Sequence, residues 1–546
     1  MRTVFTKLFL LVFFVFLSQT TFAQTQTGNS SNLIVTILLF VVALIAFAVI
    51  TQVGNNLLRM EAQKVGADVE KNNYSIFPRL NELFGSSKPG FVGDAQVTKL
   101  NRGFDIKLEG AAEKKIAEVS VSTFAAQPPN FRGIAPIPKL AADVGGTVKA
   151  GDELFYDKNE PDIKYVAPVS GEIISLNRGD RRAITEIVIL ADKEQQYRKL
   201  PAFDLENSNR EQLASFLMEV GAWSLFRHRP YDTVPEKHDV PRDIFISTFD
   251  TAPLAPDLNL VVDGHEEAFQ KGLDILGKLT TGHVHLGLYA GGDKVPSSIF
   301  TNAKGVQKHW FSGQHPAGNV GIQIHHVSPI TPKCSVWTLG VQEVITLGRI
   351  FTEGRWNTER LVAVTGAELA APAYVRTYAG ANIGDLLKGN LTNDHVRIIS
   401  GDVLSGQKKN NENFLNFYDD QITVIEEGDY YEIFGWLLAG KAVPTASKSI
   451  PTAAIFSDTL YKADTNMHGE KRAFVVTGQY ESVLPMDIYP QHLIKAVLTN
   501  DYEKMEGLGI HELIEEDIAL CEFVCTSKQP LQQILRTGLD MMHEQG

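Results

Sequence analysis

The sequence predicts a multidomain protein of α/β and β architecture behind an N-terminal transmembrane helix. Three observations carry that prediction. Residues 33–50 form an apolar run long enough for a bilayer, Val97–Leu190 has the texture of short strands and glycine turns, and strands alternate with helices after Glu211. At 546 residues the chain exceeds what one hydrophobic core holds, so three or four domains are expected.

Composition narrows the function. Hydrophobic residues at 44% and charged residues at 21% describe a globular body. A formal charge of -13 with no basic stripe excludes duplex nucleic acid as a main partner, because phosphate binding needs concentrated Lys and Arg. Cys334, Cys521 and Cys525 are the only cysteines, too few for a disulfide-stapled fold or a four-thiolate iron-sulfur cluster. Cys521 and Cys525 stand one helical turn apart and read as two small buried hydrophobes.

The first residues differ from all that follow. Arg2 and Lys7 lead into an apolar run, Leu8–Leu17, and Thr21-Phe22-Ala23 resembles a signal-peptidase site, so residues 1–23 are a signal-like or first membrane segment. In the second run, Leu33–Ile50, only Thr36 is polar, and its length of about 27 Å nearly matches a bilayer core. The transmembrane helix is therefore placed at 33–52. A core helix apolar on every face beside a charged segment is the bland alternative. Ser18–Asn32 carries no charge, whereas Arg59, Lys64 and Lys71 follow the run; positive residues stay inside, which puts the body on the cytoplasmic side of the inner membrane. A periplasmic body would require that asymmetry to mislead. Residues 55–95, with Pro78, Gly85, Pro89 and Gly90, read as a linker.

Within 97–200, Val144-Gly-Gly-Thr-Val-Lys-Ala-Gly-Asp-Glu-Leu-Phe155 and Ala167-Pro-Val-Ser-Gly-Glu-Ile-Ile174 each place a turn glycine beside a β-branched or apolar run. They resemble the biotinyl/lipoyl-like barrel-sandwich fold. That family carries its cofactor on a hairpin lysine; here Lys158 and Lys164 lack the Met-Lys-Met turn and read as solvated hairpin residues. From 205 to 355 a Rossmann-like α/β domain is expected: a helix from Glu211 to Gly221, a strand Asp243–Phe249, a helix Glu266–Leu279, a strand His283–Tyr289, and a further strand Val320–Val327. The dinucleotide fingerprint is missing, since Asp250–Pro256 lacks the glycine set and Gly291-Gly292 is an isolated pair. From 356 to 480 a β-rich region holds strands at Leu361–Ala367, Val396–Ser400 and Gln421–Glu426, with a short helix in Gly380–Gly389; it looks like a small ubiquitin-like module of the SLBB type. Residues 481–546 form a helical C-terminal region.

Several phrases in order resemble the A subunit of the sodium-translocating NADH:quinone oxidoreductase (NQR): Leu100-Asn-Arg-Gly-Phe-Asp-Ile-Lys-Leu-Glu-Gly110, Gly221-Ala-Trp-Ser-Leu-Phe-Arg-His-Arg-Pro230, Phe249-Asp-Thr-Ala-Pro-Leu-Ala-Pro256, Ser312-Gly-Gln-His-Pro-Ala-Gly318, Phe434-Gly-Trp436, Leu484-Pro-Met-Asp-Ile488 and Glu515-Glu-Asp-Ile-Ala-Leu-Cys-Glu-Phe-Val-Cys525. The resemblance covers roughly residues 97 to 546. It implies an accessory subunit with no cofactor of its own, in a complex that uses NADH, flavins, iron-sulfur or iron centres and quinone to drive sodium export. It also implies docking against the other subunits, especially the quinone-binding membrane subunit. Members of that family typically begin near the Leu100 phrase, so the N-terminal extension is an addition. The rival readings are a free-standing, membrane-tethered NADH or flavin enzyme and a quinone-binding module without sodium coupling.

No Ser-His-Asp, Cys-His or paired-carboxylate arrangement points to catalysis by this chain. His315, in the loop before Val320, either contacts quinone at an interface or fixes its loop by a hydrogen bond. Arg227 and Arg229 have the guanidinium fork that suits buried ionic interfaces, or else form surface salt bridges. Asp517 reads as a cap of the tail helix, with a sodium ligand as the sharper alternative. Neither His283 with His285 nor His325, in strand-like surroundings, has a nearby thiolate or carboxylate at zinc spacing, so no metal is expected.

Overall fold

Strand-forming residues near residue 100 serve three different sheets. A computed structural model of the chain describes residues 88–292, 294–332, 334–433, 445–446 and 459–545. Both N-terminal apolar runs, the linker up to residue 87 and the Phe434-Gly-Trp436 phrase lie outside the described residues. Residues 89–546 form one unit.

The glycine-rich stretch forms the expected antiparallel sandwich. One sheet orders Thr123–Ala126, Ile184–Ala191, Gly171–Arg178 and Thr147–Val148; the facing sheet orders Lys139–Leu140, Glu153–Tyr156 and Lys164–Val166. Alternation decides which residues enter: Leu154, Ile173, Ile187 and Ile189 are buried between the sheets. Lys158 is exposed, and Lys164 is bound in ion pairs to Glu219 at 2.6 Å and Glu153 at 3.3 Å.

The α/β domain is built on six strands in the order Val97–Lys99, Gln307–Ser312, Val284–Tyr289, Asp243–Ser247, Val336–Thr338 and Arg227–Arg229. The first five are parallel and the last is antiparallel. Crossover helices supply the parallel connections. Helix Glu266–Leu279 turns Phe269, Leu273 and Leu276 inward, as its 3.6-residue period demands. Helix Arg210–Glu219 starts at Asn209, whose side chain accepts from the Gln212 amide at 2.8 Å while the Gln212 side chain accepts from the Asn209 amide at 3.1 Å.

Val320–Val327 is a helix, not the strand that its alternation suggests. Val320, Ile322 and Ile324 do alternate, but Val320, Ile324 and Val327 also recur at helical spacing, and a run this short fits both periods. Burial of Gly321 and Gln323 along with Ile322 and Ile324 removes the polar face that a strand pattern needs. His325 therefore stands on a helix.

The β-rich region is a mixed sheet ordered Gln407–Lys409, Val396–Ser400, Gln421–Glu426, Glu359–Thr365, Ala373–Tyr378 and Glu113–Ala117. Its helix spans Ile383–Leu387 and is capped by Asn382, which accepts from the Asp385 amide. Val97–Lys99 and Glu113–Ala117 thus precede the sandwich in sequence yet close the edges of two other sheets. The C-terminal helices, Gln479–Val483, Pro490–Leu498, Tyr502–Gly507, Glu515–Val524 and Leu531–Gln545, share a second core with Leu100, Ile106, Leu108, Phe311 and Ile322. Cys521 and Cys525 are buried in that core, and the Tyr480 hydroxyl lies 2.8 Å from Cys525 Sγ.

Two glycines let the α/β domain's main helix pair touch backbone to backbone. A Cβ on Gly348 of helix Val341–Thr352 would fall 1.8 Å from the Ala268 carbonyl oxygen, and one on Gly272 would fall 2.3 Å from the Val344 carbonyl oxygen. Gly348→Ala is expected to force these helices apart and cost about 1–3 kcal/mol or more; urea unfolding of the purified variant measures it, and an unchanged midpoint would refute the close contact.

Candidate functional site

Arg227, Arg229 and Asp517 meet at one junction. Arg227–Arg229 is the antiparallel edge strand, and the turn after it is closed by mutual hydrogen bonds between His228 and Thr233, the His228 amide donating at 2.7 Å and the Thr233 amide at 3.3 Å. Tyr231 and Asp232 take positive φ values of 79° and 59° in this turn. Asp232 is thereby turned inward, where Arg227 binds it and Arg132 reaches it at 2.9 Å.

Arg229 points toward the C-terminal helices. Its side chain is 2% exposed; Nη1 donates to Asp517 Oδ2 at 2.7 Å and Nη2 to Glu516 Oε1 at 3.2 Å. Asp517, 0% exposed, also accepts the Ile514 amide at 3.0 Å, so it caps its helix and binds Arg229 with one oxygen. Gly321 makes room for the pair: a Cβ there would sit 2.4 Å from Asp517 Oδ1 and 2.5 Å from Arg229 Nη1.

Other regions join the same junction. Glu515 binds Arg132 of the sandwich at 2.9 Å and Arg536 of the last helix at 2.9 Å. The Arg227 guanidinium lies 5.2 Å from the centroid of the Tyr418 ring, whose hydroxyl donates to the Ser224 carbonyl at 2.7 Å. Four arginines, at 132, 227, 229 and 536, thus face four carboxylates, at 232, 515, 516 and 517. Burial alone would push Asp232 up, but Arg227 and Arg132 hold its carboxyl below the ordinary range.

A second buried cluster has fewer cations than acids. Arg360 reaches Glu343 at 3.4 Å and Asp420 at 3.3 Å, and Nη1 also donates to the Phe417 carbonyl at 2.6 Å. Burial raises both carboxyls, and with Glu343 beside it Asp420 is pushed up to about 7 despite Arg360. One guanidinium cannot hold two buried acids ionised.

His315 lies at the carboxyl ends of the parallel strands, the place where such sheets bind ligands. It is 3% exposed, and burial lowers its imidazole so that it is neutral. Its amide donates to Asp105 Oδ1 at 2.8 Å, its carbonyl accepts from the Phe104 amide at 2.9 Å, and Nδ1 lies 3.2 Å from Thr251 Oγ1. Thr251 Oγ1 also accepts from the Gly318 amide at 2.9 Å, and His315 Nε2 is buried without a hydrogen-bond partner. Nearby, Gln323 Nε2 donates to Ser247 Oγ at 2.8 Å, and a Cβ on Gly287 would fall 1.9 Å from Gln323 Oε1. Apart from His315 Nε2, the polar groups named here bond to the protein's own groups.

His285 and His325, two more histidines that the sequence singled out, have partners within the protein. His285 Nδ1 lies 2.9 Å from Nε2 of His309, a residue that sequence spacing did not single out; burial and His285 push His309 down to about 4. Strand pairing brings them together, in a register no sequence motif encodes. His325 binds Glu512 at 2.7 Å and accepts the Asp487 amide at 3.0 Å, which docks its helix on the C-terminal region. Among the described residues no group of three or more His, Cys, Asp or Glu is arranged to hold a metal ion.

Two measurements probe these clusters. Arg229→Ala strands Asp517 as an uncompensated buried charge and should cost about 3–5 kcal/mol, whereas Arg229→Met with Asp517→Leu should recover much of it; equal losses in chemical unfolding of both variants would refute a buried pair. For Asp420, the folded pKa of about 7 lies above the unfolded value near 3.8, so its stabilisation is complete below the unfolded value and is lost as pH rises through about 7. Unfolding free energy measured from pH 4 to 7 should therefore lose part of its downward slope in Asp420→Asn.

Comparison with known proteins agrees along the chain. The NqrA N-terminal barrel-sandwich hybrid domain matches residues 98–192, the NqrA second alpha/beta domain residues 208–356, and the NQRA C-terminal domain residues 361–411. The A subunit of the Na(+)-translocating NADH-quinone reductase of Yersinia pestis bv. Antiqua is 36% identical over 452 residues, covering 82% of this chain and 100% of the relative. The proteins of that name from Saccharophagus degradans and Neisseria meningitidis serogroup B are each 35% identical, over 452 and 456 residues, with the same coverage. Spanning these relatives from end to end, with all three domains in order, the chain belongs to the NqrA family, the A subunits of Na(+)-translocating NADH-quinone reductases.

Proposed function

We propose that this chain works as the A subunit of a sodium-translocating NADH:quinone reductase, as an accessory scaffold without a redox cofactor of its own. The observation that carries the reading is the end-to-end match to relatives of that name. In this role the chain docks on the other subunits, beside the quinone-binding membrane subunit, while NADH, flavins, iron-sulfur or iron centres and quinone belong to the complex.

The engaged polar groups at the strand ends support the scaffold reading. A dinucleotide needs free amides and a helix N-terminus at the strand ends. Here Asp105, Thr251, Gln323 and His315 use that space for contacts among themselves and their loops. A free-standing NADH or flavin enzyme would have to unmake them. His315 and the Arg227–Arg229 pair then act by holding the body's shape rather than by touching quinone.

The N-terminal apolar run supports an additional membrane tether. Among the described residues no helix is long and apolar enough to cross a membrane, so the tether rests on Leu33–Ile50 and its flanking charges. With the body on the cytoplasmic side, such an anchor raises the local concentration of the partners.

Affinity purification of the tagged full chain from native membranes tests the assignment. Flavin-bearing membrane subunits should accompany it, and the separated chain should show no stoichiometric flavin absorbance. Purification of the chain alone, or a one-to-one flavin band in it, would defeat the proposal.

A further inference from the structure

Tyr165 and Trp356 are 2% and 1% exposed, yet neither the phenol hydroxyl nor the indole Nε1 has a hydrogen-bond partner. Both residues line one cavity, at the meeting of the sandwich, the α/β domain and the β-rich sheet. Its walls include Phe131 of the sandwich, Ser224 of the α/β domain, and Gly380 and Phe417 of the β-rich region. The other polar side chains there are already engaged: Gln127 donates to the Leu415 carbonyl at 2.8 Å, and Ser224 donates to the Gly221 carbonyl at 2.9 Å.

Buried donors without partners are rare in native proteins, and the two residues that carry these donors line one cavity. An indole N–H only donates. Burial raises the Tyr165 phenol well above its ordinary value, so it too keeps a proton to give. A charged acceptor is unsuited to a wall of Phe131, Phe155 and Phe417, with no cation among the lining residues. The space between these walls admits about one water-sized molecule.

The geometry points to an internal site in which Tyr165 and Trp356 together bind one small neutral hydrogen-bond acceptor, a water molecule, at the junction of the three modules. A water takes both donated protons on its two lone pairs and keeps its own two for carbonyl oxygens or ring faces. It thereby bridges the sandwich to the segment that joins the α/β domain to the β-rich sheet. Phe131 holds one side of the site in place, with its ring 4.7 Å from Tyr165 and 5.0 Å from Phe417.

The sign of one substitution tests the site in the full chain. Tyr165→Phe removes only the hydroxyl. If the site holds water, the substitution breaks a satisfied bond and should lower the thermal midpoint by about a degree or two; if the cavity is dry, it removes an unsatisfied polar group and should raise the midpoint. A high-resolution structure of the same protein supplies the second readout. Density for a single atom within hydrogen-bonding distance of both Tyr165 Oη and Trp356 Nε1 would support the site. A dry cavity, density for a larger organic molecule, or a raised midpoint would each overturn it.

Discussion

The buried pair between Arg229 and Asp517 is the constraint on which the rest of this body depends. Two ions withdrawn from water cost several kcal/mol each, so the arrangement persists only if geometry returns that cost. The surrounding chain is shaped to do so. The turn after Arg229 carries two non-glycine residues at positive φ and aims Asp232 at the neighbouring arginines. Helix Val320–Val327 presents Gly321 where any side chain would strike the pair. Helix Glu515–Val524 begins with three acids, which favour its positive end and together meet arginines from the sandwich, the α/β domain and the last helix.

How much of this was legible follows from the range of each interaction. Helix Glu266–Leu279 and the strands Val396–Ser400 and Gln421–Glu426 were readable because period and boundaries are local properties of the chain. The helix at Val320 was not, because eight apolar-rich residues satisfy two periods and tertiary burial chose between them. Guanidinium chemistry marked Arg229 as an interface residue, but its partner lies 288 positions away and no local pattern names it. Asp517 was visible as a helix cap and invisible as a counterion. Arg360, Glu343 and Asp420, like Tyr165 and Trp356, are ordinary residues in the sequence and become unusual only when folding removes water from around them.

Contacts across the strand ends change what a Rossmann-like sheet can mean. The architecture by itself would suggest a nucleotide, since many activities share it. What distinguishes this chain is the segment Leu100–Asp105, which continues from the edge strand across the carboxyl ends and hydrogen-bonds the His315 loop. Gln323 completes the closure from the helix side. Apart from His315 Nε2, the polar groups named at this site already bond to protein groups, and a ligand that left any of them buried without a partner would cost about 1–3 kcal/mol for each.

Interleaving makes the modules one object rather than beads on a string. Val97–Lys99 completes the parallel sheet and Glu113–Ala117 completes the mixed sheet before the chain enters the sandwich. Excising residues 97–200 at their sequence boundaries would therefore strip an edge strand from each of the other two sheets and leave ladder groups unpaired. The ionic junction ties the sandwich through Arg132 and the α/β domain through Arg229 to the C-terminal helices, and the β-rich region meets the last helix where Gln532 donates to the Leu404 carbonyl at 2.9 Å. Relative motion of the modules must break a strand pairing or an ion pair, so the body resists deformation as a whole. Such rigidity is what the scaffold role proposed above requires, because it would hold partners bound at separate surfaces at fixed distances from one another.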